Sequence, residues 1–112
     1  MARQIKIKIK DKEYTLEFTR SSVEAMERGG FSLDYIREKP ATMLPALFAG
    51  AFQAHHRWLK PAEIEKIRAS MPHKEDLYDK LADMYAATIN SLFDAPEEAE
   101  DDEGNASWSA VD

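Results

Sequence analysis

Apolar and polar residues alternate with a period of two over the first 18 positions and repeat with a helical period from about residue 20 onward. This change of period predicts a β-hairpin followed by helices. In Ile5-Lys6-Ile7-Lys8-Ile9-Lys10 and Glu13-Tyr14-Thr15-Leu16-Glu17-Phe18 every second residue is apolar. With Asp11-Lys12 as the loop, residue numbers in each pair sum to 23. Ile9 then faces Tyr14, Ile7 faces Leu16 and Ile5 faces Phe18 on one side. Lys10 faces Glu13, Lys8 faces Thr15 and Lys6 faces Glu17 on the other. A slip by one residue would set lysines into the apolar row. Two strands alone are marginal in water, so helices are expected to cover that row.

The helical part is punctuated by caps and prolines. Ser21 with Glu24 three residues later has the form of a capping box, and Gly29-Gly30 is a left-handed stop after Val23 and Met26. Ser32 is placed to cap a turn or two through Leu33, Tyr35 and Ile36, ended by Pro40. From Ala41 to about Leu59 the residues Leu44, Leu47, Phe48, Ala51, Phe52, His55 and Leu59 form one helical stripe, broadened by Met43, Ala54 and Trp58. Pro45 is read as part of its first turn. Pro61 opens the next helix, with Ile64, Ile67 and Met71 on one face, and Pro72 closes it. Between Lys74 and Phe93 the series Leu77, Leu81, Met84, Tyr85, Thr88, Ile89, Leu92 keeps the helical repeat without a fault.

Composition alters this picture mainly at the C-terminal end. Residues 95–112 contain Glu97, Glu98, Glu100, Asp101, Asp102, Glu103 and Asp112 and no Lys or Arg. The net charge of −6 therefore belongs to the tail, and residues 1–94 carry +1. The expected architecture is an α+β, mostly helical fold: a single domain over 1–94, with the hairpin at 4–18 and four to five helices in 20–94. A disordered acidic tail is expected over 95–112. A near-neutral body argues against a broad nucleic-acid face. The interrupted apolar run Met43–Ala54 is shorter than the roughly 20 residues that cross a bilayer. The N-terminal segment lacks a continuous signal-peptide core, which together with the absence of cysteine fits a reducing cytoplasm.

Candidate chemistry is sparse. Adjacent helical residues point about 100° apart, so His55 and His56 do not readily grip one metal ion. His55 is expected to close the core stripe and His56 to be solvated. Gly29-Gly30 matches no phosphate-binding loop, and no nucleophile stands beside a base. No enzyme activity, cofactor or metal is expected. Lys6, Lys8, Lys10 and Lys12 form a basic row that Glu13 and Glu17 are expected to neutralise in part, with a transient contact from the acidic tail as a further option. Trp108 is a large aromatic beyond the acidic run, read either as a partner anchor or as a tryptophan carried by an inert tail. The central segment is more apolar than a small core readily hides, which points to self-association or partner binding. Phe48, Phe52, Trp58 and Trp108 are the candidate partner-binding residues.

The ordered segments Glu13-Tyr14-Thr15-Leu16-Glu17-Phe18-Thr19-Arg20, Val23 and Met26 before Gly30-Phe31, and Pro40-Ala41-Thr42-Met43-Leu44-Pro45 leading to Leu47-Phe48-Ala49-Gly50-Ala51-Phe52 and His55-His56 run through most of the chain. With Leu81-Ala82-Asp83-Met84-Tyr85 and the acidic end, this series resembles a family of small phage and prophage proteins of formerly unknown function. Such proteins look like the tail assembly chaperones of long-tailed bacteriophages. The resemblance implies a non-catalytic protein of the host cell cytoplasm, absent from the mature virion. It implies binding and solubilising of the tape measure protein, with the major tail protein as a further partner, and no nucleic acid or membrane. The alternative is a non-catalytic phage or prophage adaptor or inhibitor that binds a host protein.

Overall fold

The computed structural model describes residues 4–94 and 107–111. Among them the order is a hairpin of β1 (Ile5–Ile9) and β2 (Lys12–Leu16), then α1 (Arg20–Arg28), a single 3-10 turn (Leu33–Tyr35), α2 (Pro40–Gly50), α3 (Gln53–His56), α4 (Pro61–Ser70) and α5 (Lys74–Ser91). The expected hairpin with helices behind it is present. The tail expected to be disordered lies, over 95–106 and at Asp112, outside the described residues.

The hairpin register differs from the expected one by two residues. Ile5 pairs with Leu16, Ile7 with Tyr14 and Ile9 with Lys12, so pairs sum to 21. A two-residue shift preserves the side of every residue, so Ile7 and Leu16 are still buried together. Lys10-Asp11 becomes the loop, and Lys10 takes a positive φ of 56° to close it. The shorter ladder ends at Leu16 and frees Phe18 from the sheet. Its ring packs edge-on against Tyr85 of α5, with centroids 5.3 Å apart.

Helix ends follow local chemistry. Thr19 caps α1: its hydroxyl accepts from Ser22 N–H at 3.1 Å, and Ser22 Oγ accepts from Thr19 N–H at 2.9 Å. The reciprocal box is thus built two residues before the expected Ser21–Glu24 pair, because Thr19 holds the extended backbone that a cap requires. At the other end Gly30 has φ of 99°, Gly30 N–H reaches Glu27 O and Phe31 N–H reaches Met26 O, the Schellman closure that the two glycines predict. Phe31 is thereby turned into the core. Ser32 caps the 3-10 turn through Asp34 N–H, and Pro61 stands first in α4, where Glu63 accepts from Lys60 N–H.

The core lies where the hairpin, α2 and α5 meet. Leu16, Leu47, Phe48, Phe52 and Leu81 are its largest fully buried side chains, closed by Ile7, Phe18, Val23, Phe31, Ile67, Met84 and Tyr85. Helices α4 and α5 are tied at the surface by Arg68, which donates to Glu65 on its own helix and to Tyr78 on α5 at 2.9 Å. Those two partners hold its guanidinium above its ordinary pKa. No described helix is long and apolar enough to cross a membrane.

Candidate functional site

The segment expected as one helix from Ala41 to Leu59 is two helices. Backbone dihedrals stay right-handed at Ala51 and Phe52, but α2 stops at Gly50 and α3 begins at Gln53. The interruption leaves the Ala51 carbonyl free to accept Glu17 N–H at 2.9 Å. One turn further on, His56 Nε2 accepts Thr15 N–H at 2.9 Å. Both donors belong to the β2 side that faces away from β1, the open edge of a two-stranded sheet. An imidazole and a helix-end carbonyl therefore close an edge that would otherwise invite another strand.

Side chains reinforce this joint. His55 Nε2 lies 2.7 Å from Glu17 Oε1, and Gln4 Nε2 donates to the same oxygen at 3.0 Å. Hydrogen bonds from His55 and then Gln4 hold the Glu17 carboxyl below its usual pKa. His56 stands edge-on to Tyr14, with ring centroids 5.3 Å apart. Its acceptor role requires an unprotonated Nε2 and a proton on Nδ1. Burial, and then the neighbouring charge of His55, push its pKa down. The expected roles of the two histidines are thus exchanged: His55 is exposed and hydrogen-bonded to Glu17, whereas His56 is partly buried and bonded to backbone. Helical periodicity assigned them to the wrong sides because the helix is broken before it reaches them.

Glu17 is half-buried and His55 exposed, and the described cleft lies away from this pair. Among the described residues no three His, Asp or Glu side chains converge as a metal site. The cleft, of about 400 Å³, lies between the end of α1, the 3-10 turn and α5, lined by Glu27, Phe31, Ser32, Leu33, Asp34, Tyr85 and Ile89. Burial, and secondarily Glu27, raise the Tyr85 hydroxyl pKa. The cleft has an apolar floor with carboxylates at its rim. Sequence reasoning missed it, since its walls join the stretch from Glu27 to Asp34 to Tyr85 and Ile89, far along the chain.

The four candidate partner-binding residues divide into two pairs. Phe48 and Phe52 are 0% and 1% exposed and belong to the core, their rings tilted against each other with centroids 5.1 Å apart, so neither offers surface to a partner. These rings are consumed because α2 packs against α1, α4 and α5 while α3 covers β2. Trp58 and Trp108 are 84% and 88% exposed. The Trp58 ring carries the Arg57 guanidinium 5.1 Å from its centroid, a cation–π contact that leaves most of the indole in water. Leu92, the last position of the α5 repeat, and the neighbouring Phe93 are also exposed, at 47% and 85%. They continue the α5 apolar repeat past Ser91, where that helix ends.

No curated protein and no solved structure matches this chain. A family match does cover it: residues 1–111 fit the domain of unknown function DUF5055, and the chain belongs to that family.

Proposed function

We propose that this protein is a tail assembly chaperone of a long-tailed bacteriophage, which binds and solubilises the tape measure protein while the tail is built in the host cytoplasm. The reading rests on the resemblance of the chain's ordered segments to that class. The observation that supports it here is the set of large apolar side chains, Trp58, Leu92 and Phe93, which the helical body leaves outside a core that is otherwise complete. Aromatic residues are enriched at protein–protein interfaces, Trp especially among the side chains that carry the binding energy. Weak contacts at each copy suffice, because many copies along one long helix gain by avidity and must afterwards be displaced by tube subunits.

Co-expression with a tape measure protein from the genome that carries this gene tests the proposal. The tape measure protein should become soluble and co-purify with this chain, and Trp58→Ala with Phe93→Ala should remove both effects without lowering the chaperone's own thermal midpoint. If solubility is unchanged and nothing co-purifies, the adaptor reading replaces this one.

A further inference from the structure

The observed register changes the electrostatics of the hairpin's outer face. In the expected register Glu13 and Glu17 stand opposite two of the lysines. Here Glu13 pairs with Lys8, Thr15 stands opposite Lys6, and Glu17 has passed the end of the ladder to bind His55 and Gln4. The Lys6 ammonium donates to a neutral hydroxyl, Thr15 Oγ1, at 3.2 Å. Ion pairs among the described residues join Arg28 to Glu24 and Arg68 to Glu65, Glu17 meets His55, and none involves Lys6, Lys8, Lys10 or Lys12. Lys6 and Lys8 project from the outer face and Lys10 stands in the loop beyond them, while Lys12, opposite Ile9, leaves the tip from the other face; all four are exposed. Against Asp11 and Glu13 the hairpin keeps a surplus of two positive charges in a chain whose net charge is −6.

The fold also fixes where the opposite charge starts. Thr88 Oγ1 donates to Phe18 O at 3.3 Å, and Arg20 Nη2 donates to Ser91 O at 3.4 Å. The C-terminal end of α5 is therefore pinned to the base of the hairpin, close to where β2 leaves the sheet. The chain beyond Asp94 carries Glu97, Glu98, Glu100, Asp101, Asp102 and Glu103 within ten residues. Extended, the stretch from Asp94 to Glu103 spans up to ~30 Å, whereas Lys6 to Lys10 spans about 13 Å of strand. Reach is ample, and tethering gives the acidic run a high local concentration that a free acidic peptide lacks.

We propose that the lysine row of the hairpin is a docking surface for this chain's own acidic segment, Glu97 to Glu103, held by charge pairing in cis. The contact is independent of the chaperone reading and stands or falls without it. Pairing of exposed charges is salt-sensitive, so the segment exchanges on and off.

The chain has no cysteine, so Asn105→Cys carries a single nitroxide on the full-length protein. Amide signals of Lys6 to Glu13 should be strongly broadened at low salt. They should recover at about 1 M salt, where the Debye length is about 3 Å. Replacing the six acidic residues by Asn and Gln leaves the folded body untouched and should restore the same signals, as should Gln at Lys6, Lys8, Lys10 and Lys12. Broadening elsewhere, none at all, or broadening that survives both salt and the acidic-to-amide variant overturns the proposal. Mixing labelled chain with isotope-enriched unlabelled chain should produce no hairpin broadening; if it does, the contact is between two copies and docking in cis is wrong.

Discussion

Helix α5 and the segment from Pro40 to Leu59 are similar in length, yet one is an uninterrupted helix and the other is broken. Helix α5 has a narrow apolar stripe and a charged outer face, so its own repeat determines both its conformation and its orientation. The central segment is apolar nearly all round, and nothing in its repeat says where to stop. The break is decided from outside, by β2. Leaving the Thr15 and Glu17 N–H groups without acceptors in a half-buried joint would cost about 1–3 kcal/mol each. Helix propensity at ordinary residues is worth less than about 1 kcal/mol each. The long-range partner therefore wins, and the helix yields one turn to become the cover of a sheet edge.

The contrast predicts large effects where the central segment turns and small ones where α5 runs out. Phe52 stands at the break and touches Phe48, Tyr14 and His56. Phe52→Ala should cost about 3–5 kcal/mol, as for a fully buried ring, whereas Phe93→Ala should stay within about 0.5 kcal/mol, as for an exposed one. Urea denaturation of the two variants measures both. Equal losses would show that the end of α5 is as closely packed as the break.

Gly50, the last residue of α2, sharpens the same point. A Cβ built there would fall on the Met26 thioether of α1. Gly50→Ala should destabilise by about 1–2 kcal/mol through overpacking. Because Met26 is the obstacle, Met26→Ala and Gly50→Ala together should cost less than the sum of the two, by at least about 0.5 kcal/mol in a double-mutant cycle. Strict additivity would mean that the two helices do not meet closely at this residue.

Much of the fold was legible because it is written locally. The alternation of Ile5, Ile7, Ile9 with Tyr14 and Leu16, the Gly29-Gly30 stop, the Pro61 start and the repeat of α5 each depend on neighbours a few residues away. What sequence missed depends on partners far along the chain. The sum-of-23 register placed Phe18 in the ladder, but Phe18 is needed against Tyr85, and no period-two pattern distinguishes registers that differ by two. The exchange of His55 and His56 and the burial of Phe48 and Phe52 have the same cause: the period alone implies one continuous central helix, too apolar for one core, and contact with the hairpin breaks it. Of the candidate partner-binding residues, Trp58 and Trp108 keep the exposure that the sequence suggested.

The hairpin loop offers a smaller effect of the opposite sign. Lys10 holds a positive φ without being glycine, a conformation that costs an ordinary residue about 1–2 kcal/mol. Lys10→Gly should relieve part of that strain and lose part of the gain to the greater freedom of glycine when unfolded, for a net stabilisation of about 0.5–1 kcal/mol. A higher urea midpoint with unchanged slope is the expected result. Destabilisation would place the loop at Asp11-Lys12 and restore the register that sums to 23.

The smallest effect is a pH dependence at the joint itself. Burial and the charge of His55 hold the folded-state pKa of His56 below its ordinary value near 6.5, so the unfolded chain binds the proton more readily than the folded one. Its contribution is therefore fully present above about pH 6.5, and it is lost as pH falls from there through the lowered folded-state value. The lowered Glu17 pKa acts further down, with stability present above its ordinary value near 4.5 and lost below it. The two losses are thus separated in pH. His56 is only partly buried, so water softens the effect. His56→Gln separates titration from structure, since a Gln Oε1 can accept Thr15 N–H where the His56 Nε2 does and carries no proton to titrate. The urea midpoint of the parent should decline between pH 7 and pH 5.5 while that of His56→Gln stays flat. Parallel curves for the two proteins would show that the imidazole does not keep its proton off the nitrogen that faces β2.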